Sequence, residues 1–122
     1  MFCTLLVEDS PGFRTTLHTL LQEHFPAINV VEAATGEEAM AVTALYRPDL
    51  VLMDIKLPGE NGLTVTRKMK DADSAVNVVI LTSYDLPEYR EVAFANGASE
   101  FLCKETTTPG DILSLVQQLL PT

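Results

Sequence analysis

Tryptophan is absent from this chain, cysteine and histidine occur twice each, and lysine plus arginine number eight against seventeen aspartate and glutamate residues. The resulting net charge of −9 excludes an electrostatic footprint for nucleic acid or for an anionic membrane surface, so any control over DNA would act through something else. Cys3 in "FCTLLV" and Cys103 in "EFLC" sit in apolar segments and read as free, buried thiols rather than a disulfide or metal pair. No apolar run approaches the roughly 20 residues that span a bilayer. The opening "MFCTLLVED" meets an acid pair within nine residues and has no basic stretch ahead of its apolar run, which argues against a secretory signal and for a cytoplasmic address.

What is present is globular. With 122 residues, 47% of them hydrophobic, the chain is expected to form one domain over 1–122 with a core of ordinary size. Short apolar runs alternate with amphipathic ones from end to end. "MFCTLLV" reads as a strand, and Phe13, Leu17, Leu20 and Leu21 repeat at helical spacing between Pro11 and His24, with Ser10 as N-cap and Pro11 in the first turn. "INVVEA" is a second strand, and Thr35 to Glu38 opens a helix that closes before Pro48. "LVLMD" is the third strand, followed by a helix from Asn61 to about Ala72. "NVVILTS" is the fourth, followed by a helix from Pro87 to about Asn96 with Gly97 as C-cap. "EFLCK" is the fifth, and Pro109 to Leu120 forms the last helix. His18 and His24 fall on the first helix and read as exposed or half-buried helix residues.

Five strands, each followed by a helix, predict an α/β doubly wound parallel sheet, because parallel neighbours need crossovers and these are right-handed. The flavodoxin-like strand order 2-1-3-4-5 is the leading topology, and in it ligands bind beyond the carboxyl ends of strands 1 and 3. Cys3 and Cys103 would then lie roughly 14 Å apart at about 4.8 Å per strand, too far to bridge.

At that edge the first strand ends in Glu8-Asp9, the third in Asp54, the fourth in Thr82-Ser83 and the fifth in Lys104. Each residue alone has a bland reading: a turn acid, a β-branched strand residue, a solvated lysine. Their convergence on one mouth does not. Three carboxylates gathered together repel, and a divalent cation relieves that repulsion. An all-oxygen set without histidine or cysteine favours Mg²⁺ or Mn²⁺ over zinc. Lys104 can pair with the acids or with a phosphoryl group, Thr82 can donate a hydroxyl to a phosphoryl oxygen, and Asp54 is the best-placed carboxylate nucleophile.

These positions, with "DIKLPGENG" after the third strand and "GASEFLC" before Lys104, closely resemble the receiver domain of two-component response regulators over essentially the whole chain. The resemblance implies that Asp54 is the phosphoacceptor, that Glu8, Asp9, Asp54 and the backbone carbonyl of Lys56 hold Mg²⁺, and that Lys104 contacts the phosphoryl group. It makes Thr82 the switch hydroxyl and Phe101 an aromatic that turns inward on activation, altering the surface of the fourth helix, fifth strand and fifth helix. Pro58 and Gly62 match the loop after the acceptor. In this fold Lys56 and Tyr84, each two residues beyond a site residue, should overhang the acyl phosphate and tune its hydrolysis. The implied partners are a histidine kinase or phosphotransfer protein, and a second copy of the chain on phosphorylation. The implied role is a signalling switch that transfers a phosphoryl group to itself, not a turnover enzyme. Many receivers follow the lysine with a cis proline, whereas Glu105 follows Lys104 in "CKETTTPGD"; with "VVEAATGEEA" this resembles the branch usually joined to a LuxR-type helix-turn-helix domain and to transcription regulation.

Three rivals share part of this pattern. A flavodoxin would want a Ser/Thr-rich phosphate cradle where "VEDSPG" offers acids. A haloacid dehalogenase-type phosphatase would want an acid where Lys56 stands. A pseudo-receiver, kept as an interaction module that is not phosphorylated, would usually lack the acceptor, an acid of the pair or the lysine, and all are here.

Overall fold

The computed structural model describes residues 1–121. Its elements alternate without exception: β1 (Cys3–Val7), α1 (Pro11–His24), β2 (Asn29–Ala33), α2 (Gly36–Tyr46), β3 (Leu50–Met53), α3 (Gly62–Ala72), β4 (Asn77–Thr82), α4 (Pro87–Ala95), β5 (Glu100–Cys103) and α5 (Pro109–Leu119). All pairings are parallel and the strand order is β2-β1-β3-β4-β5, the flavodoxin-like arrangement expected from the strand–helix alternation.

Side chains alternate across each strand, and the two faces of the sheet build two cores. Leu5, Val7, Val51, Met53, Val78, Ile80 and Phe101 face α2, α3 and α4 through Ala39, Leu63, Val65, Met69 and Ala93. Leu6, Leu50, Leu52, Val79 and Leu81 face α1 and α5 through Leu17, Leu21, Ile112 and Val116. Burial on both faces is why β1, β3 and β4 read as unbroken apolar runs.

Helix starts follow local chemistry. Ser10, Thr35, Asn61 and Thr108 each accept a backbone N–H from the first turn of the helix they precede, and Asp111 returns a bond to the Thr108 N–H at 2.9 Å, completing a capping box on α5. Asn61 is therefore a cap, with α3 beginning one residue later. At the end of α4 the cap is Asn96, and Gly97 follows it with φ of +102°. Gly97 and Ala98 donate back to the carbonyls of Phe94 and Ala93 at 3.0 Å each, a Schellman ending one position from the expected cap. Both cysteines are free, Cys3 buried as expected but Cys103 only half-buried, because β5 is an edge strand. Among the described residues no peptide bond is cis, that between Lys104 and Glu105 included, and no helix is long and apolar enough to cross a membrane.

Candidate functional site

Val7 and Met53 are register partners at the ends of β1 and β3, so the next residues, Glu8 and Asp54, leave the sheet side by side. Their backbone amides continue the ladder, Glu8 N–H to the Ala33 carbonyl and Asp54 N–H to the Val7 carbonyl, both at 3.0 Å. Lys104 N–H likewise reaches the Thr82 carbonyl at 2.8 Å. By alternation Glu8 follows Leu6, Asp54 follows Leu52 and Lys104 follows Leu102, which puts all three on the α1/α5 face.

The side chains meet there. Lys104 Nζ lies 2.5 Å from Glu8 Oε1 and 3.1 Å from Asp54 Oδ2, and 4.4 Å from the centre of the Phe13 ring on α1. Asp54 Oδ1 accepts the Ile55 N–H at 2.8 Å, and Glu8 Oε2 accepts the Ser10 N–H at 3.0 Å. Each oxygen of these two carboxylates is thus aimed by a named donor. Glu8 and Asp54 are buried, while Asp9 is exposed. Oxygens of Glu8, Asp9 and Asp54 lie within 4.8 Å of one another.

The electrostatics follow from this crowding. Burial pushes the Glu8 carboxyl above its ordinary range, Asp54 adds like-charge repulsion, and the hydrogen bonds from Lys104 and Ser10 only partly oppose them. Burial works against the Lys104 ammonium, but the bonds and charges of Glu8 and Asp54 outweigh it and raise its pKa. The carboxylates already draw in one cation. Their all-oxygen chemistry and spacing fit a hard divalent ion.

Thr82 belongs to the opposite face. It is fully buried at the end of β4, and its Oγ1 accepts the Tyr84 N–H at 3.2 Å. Phe101 pairs with Ile80, two register steps below the Thr82–Cys103 pair and so on the same face, and is already inside at 4% exposure, with the Arg90 guanidinium 4.8 Å above its ring. Lys56 and Tyr84 come together, the ammonium 5.0 Å from the ring centre. The loop after Asp54 closes tightly: Gly62 N–H donates to the Ile55 carbonyl at 2.8 Å, and a Cβ on Gly62 would fall 1.9 Å from the Asp54 carbonyl oxygen.

Two contributions lie outside the residues singled out from the sequence. Tyr89 takes Lys56 on its hydroxyl at 3.4 Å. Arg14 donates from Nη1 to the backbone carbonyl of Glu8 at 2.6 Å and from Nε to Glu32 Oε1 at 2.8 Å. Glu32 also receives His18 Nδ1 at 2.5 Å. Partial burial of Glu32 favours its neutral form, but the bonds from Arg14 and His18 outweigh it and hold the carboxyl below its ordinary range. The i, i+4 spacing of Arg14 and His18 was the available signal, since it puts both on one helix face.

The model of the response regulator receiver domain family matches residues 4–117. The chain is 34% identical over 105 residues to the chemotaxis protein CheY of Halobacterium salinarum, covering 86% of each. It superposes on the BeF3-activated N-terminal receiver domain of Klebsiella pneumoniae RstA with a TM-score of 0.87 at 33% identity, over 98% of this chain and 99% of that one. A LuxR-family two-component response regulator from Aurantimonas sp. gives 0.86 at 31% identity, over 96% and 83%. The chain spans only 30% to 52% of the length of several other curated relatives, whose whole-protein activities are their own.

Proposed function

This chain belongs to the response regulator receiver family, and on that footing we propose that Asp54 accepts a phosphoryl group from a phosphohistidine or a small phosphodonor in a two-component system. Receivers are phosphoacceptor switches and not turnover enzymes, and the family implies a histidine kinase as partner. The observation that carries the assignment is the aiming of the buried Asp54 carboxylate, one oxygen held by Ile55 N–H and the other by Lys104.

In the transfer a carboxylate oxygen of Asp54 attacks phosphorus in line with the leaving group. The new O–P bond forms as the donor's N–P or O–P bond breaks, and a phosphohistidine imidazole leaves with a proton from solvent. A bound Mg²⁺ would neutralise charge on the phosphoryl oxygens. Glu8, Asp9, Asp54 and the Lys56 carbonyl are the groups that would hold it. Lys104 turns from Glu8 and Asp54 to the phosphoryl group it helped draw in. Thr82 exchanges the Tyr84 amide for a phosphoryl oxygen, which shifts the β4–α4 loop and biases the surface of α4, β5 and α5 toward a kinase, an effector or a second copy. The Lys104-Glu105 sequence and the likeness to a LuxR-family regulator support a transcriptional output carried by a separate DNA-binding unit.

Incubation with acetyl phosphate, with and without Mg²⁺, followed by intact mass, tests this. One added phosphoryl group is expected, dependent on the metal and lost in Asp54→Asn. Equal labelling of that variant overturns the acceptor, and no labelling under any condition favours an interaction module.

A further inference from the structure

Arg14 stands behind the acidic pocket and touches none of its carboxylates, yet it holds the peptide from which two of them hang. Its side chain is 19% exposed, and its fork makes two bonds in different directions, one to the Glu8 carbonyl and one to Glu32. The Glu8 carbonyl belongs to the peptide that joins Glu8 to Asp9, so its direction decides how Asp9 departs from β1. On the other side of the same residue the Glu8 N–H is held by the Ala33 carbonyl. Glu32 and Ala33, consecutive at the tip of β2, therefore grip Glu8 from both sides, the first through Arg14 and the second directly. His18 completes the clamp by engaging the second oxygen of Glu32.

We propose that Arg14, anchored by Glu32, is a positioning residue for the divalent-cation site, setting the Glu8–Asp9 peptide so that both carboxylates reach a cation together with Asp54. The inference rests on the reading of that cluster as a Mg²⁺ site. A guanidinium so near would repel a cation if its charge stood alone, but Glu32 neutralises it at 2.8 Å, which leaves geometry as its main effect. The fork serves its two acceptors from separate nitrogens, Nη1 and Nε, whereas a lysine offers a single nitrogen at the end of a flexible stem. An ordinary surface ion pair would alter stability slightly and leave metal affinity unchanged.

Calorimetric titration of Mg²⁺ into the full chain at fixed ionic strength separates these roles. Arg14→Lys keeps the charge and loses the fork; the double variant Arg14→Met with Glu32→Gln removes one charge of each sign and leaves the net charge as it was. Both are expected to weaken Mg²⁺ binding roughly tenfold, the scale of losing a group that orients a metal ligand, with labelling by acetyl phosphate recovering at saturating Mg²⁺. Glu32→Gln alone, which keeps the bond to the Glu8 carbonyl, should weaken binding less than either; should circular dichroism show one of the two Arg14 variants unfolded, the other decides. Wild-type affinity in a folded Arg14→Lys or double variant overturns the positioning role alone. A wild-type chain that binds no Mg²⁺ overturns it together with the metal reading.

Discussion

Lys56 Nζ is held between two rings, 5.0 Å from the centre of Tyr84 and 5.5 Å from that of Tyr89. Lys56 and Tyr84 each lie two residues beyond a pocket residue, and neither supplies a carboxylate or amide to orient an attacking water. The phosphorylated chain is therefore expected to hydrolyse slowly. Tyr84→Ala should speed the decay several-fold, on the order of 1 kcal/mol in the barrier, followed by mass after donor removal. Unchanged or slower decay would contradict shielding by the ring.

Gly62 admits no side chain, because a Cβ there meets the Asp54 carbonyl oxygen at 1.9 Å, a backbone atom that cannot swing aside. Gly62→Ala should lower stability by at least about 2 kcal/mol, read from urea unfolding, and should slow labelling at Asp54 because the strand end must move. A variant as stable as the parent would show that the loop has slack.

The raised pKa of Glu8 has a sign that can be tested. A carboxyl whose folded value exceeds its unfolded one contributes stability fully below the ordinary value of 4.5, and that contribution is lost as pH rises through the higher folded value. Glu8→Gln should accordingly be more stable than the parent at neutral pH without metal. The two should converge as pH falls below 4.5. Mg²⁺ should raise the melting temperature of the parent and not that of the variant. A less stable variant at neutral pH would mean that the Lys104 pairing outweighs burial.

Phe101 is already packed inward beneath Arg90, which is itself held by Asp85 at 3.2 Å. Binding of BeF3⁻ with Mg²⁺ should change amide exchange in the β4–α4 loop and along β5, as Thr82 releases the Tyr84 amide. Arg90→Ala should accelerate exchange around Phe101 before any phosphoryl mimic is added. Changes confined to the loops after β1 and β3 would count against the switch.

Much of this was legible in the sequence because the signals are local. Apolar runs flanked by Pro11, Pro48, Pro87 and Pro109 delimit the elements, and the parallel order then places Glu8, Asp54, Thr82 and Lys104 at one edge. The clamp of Arg14 on Glu8 and Glu32 was not legible in the same way, since it depends on α1 lying over β2 and on a bond to a backbone carbonyl. The Arg90 guanidinium over Phe101 joins α4 to β5, a contact between elements that no periodicity reports. Cys103 is half-buried because β5 is an edge strand, and an apolar run of four looks the same at an edge as in the centre.

A phosphoryl group carried on Asp54 can be trapped there. Reduction of the labelled chain with borohydride converts an aspartyl phosphate to homoserine, which tandem mass spectrometry locates in the sequence. Homoserine is expected at position 54 alone, only when Mg²⁺ and a phosphodonor were both present. A reduced residue at Glu8 or Asp9, or product at Asp54 that forms equally in chelator, would contradict it.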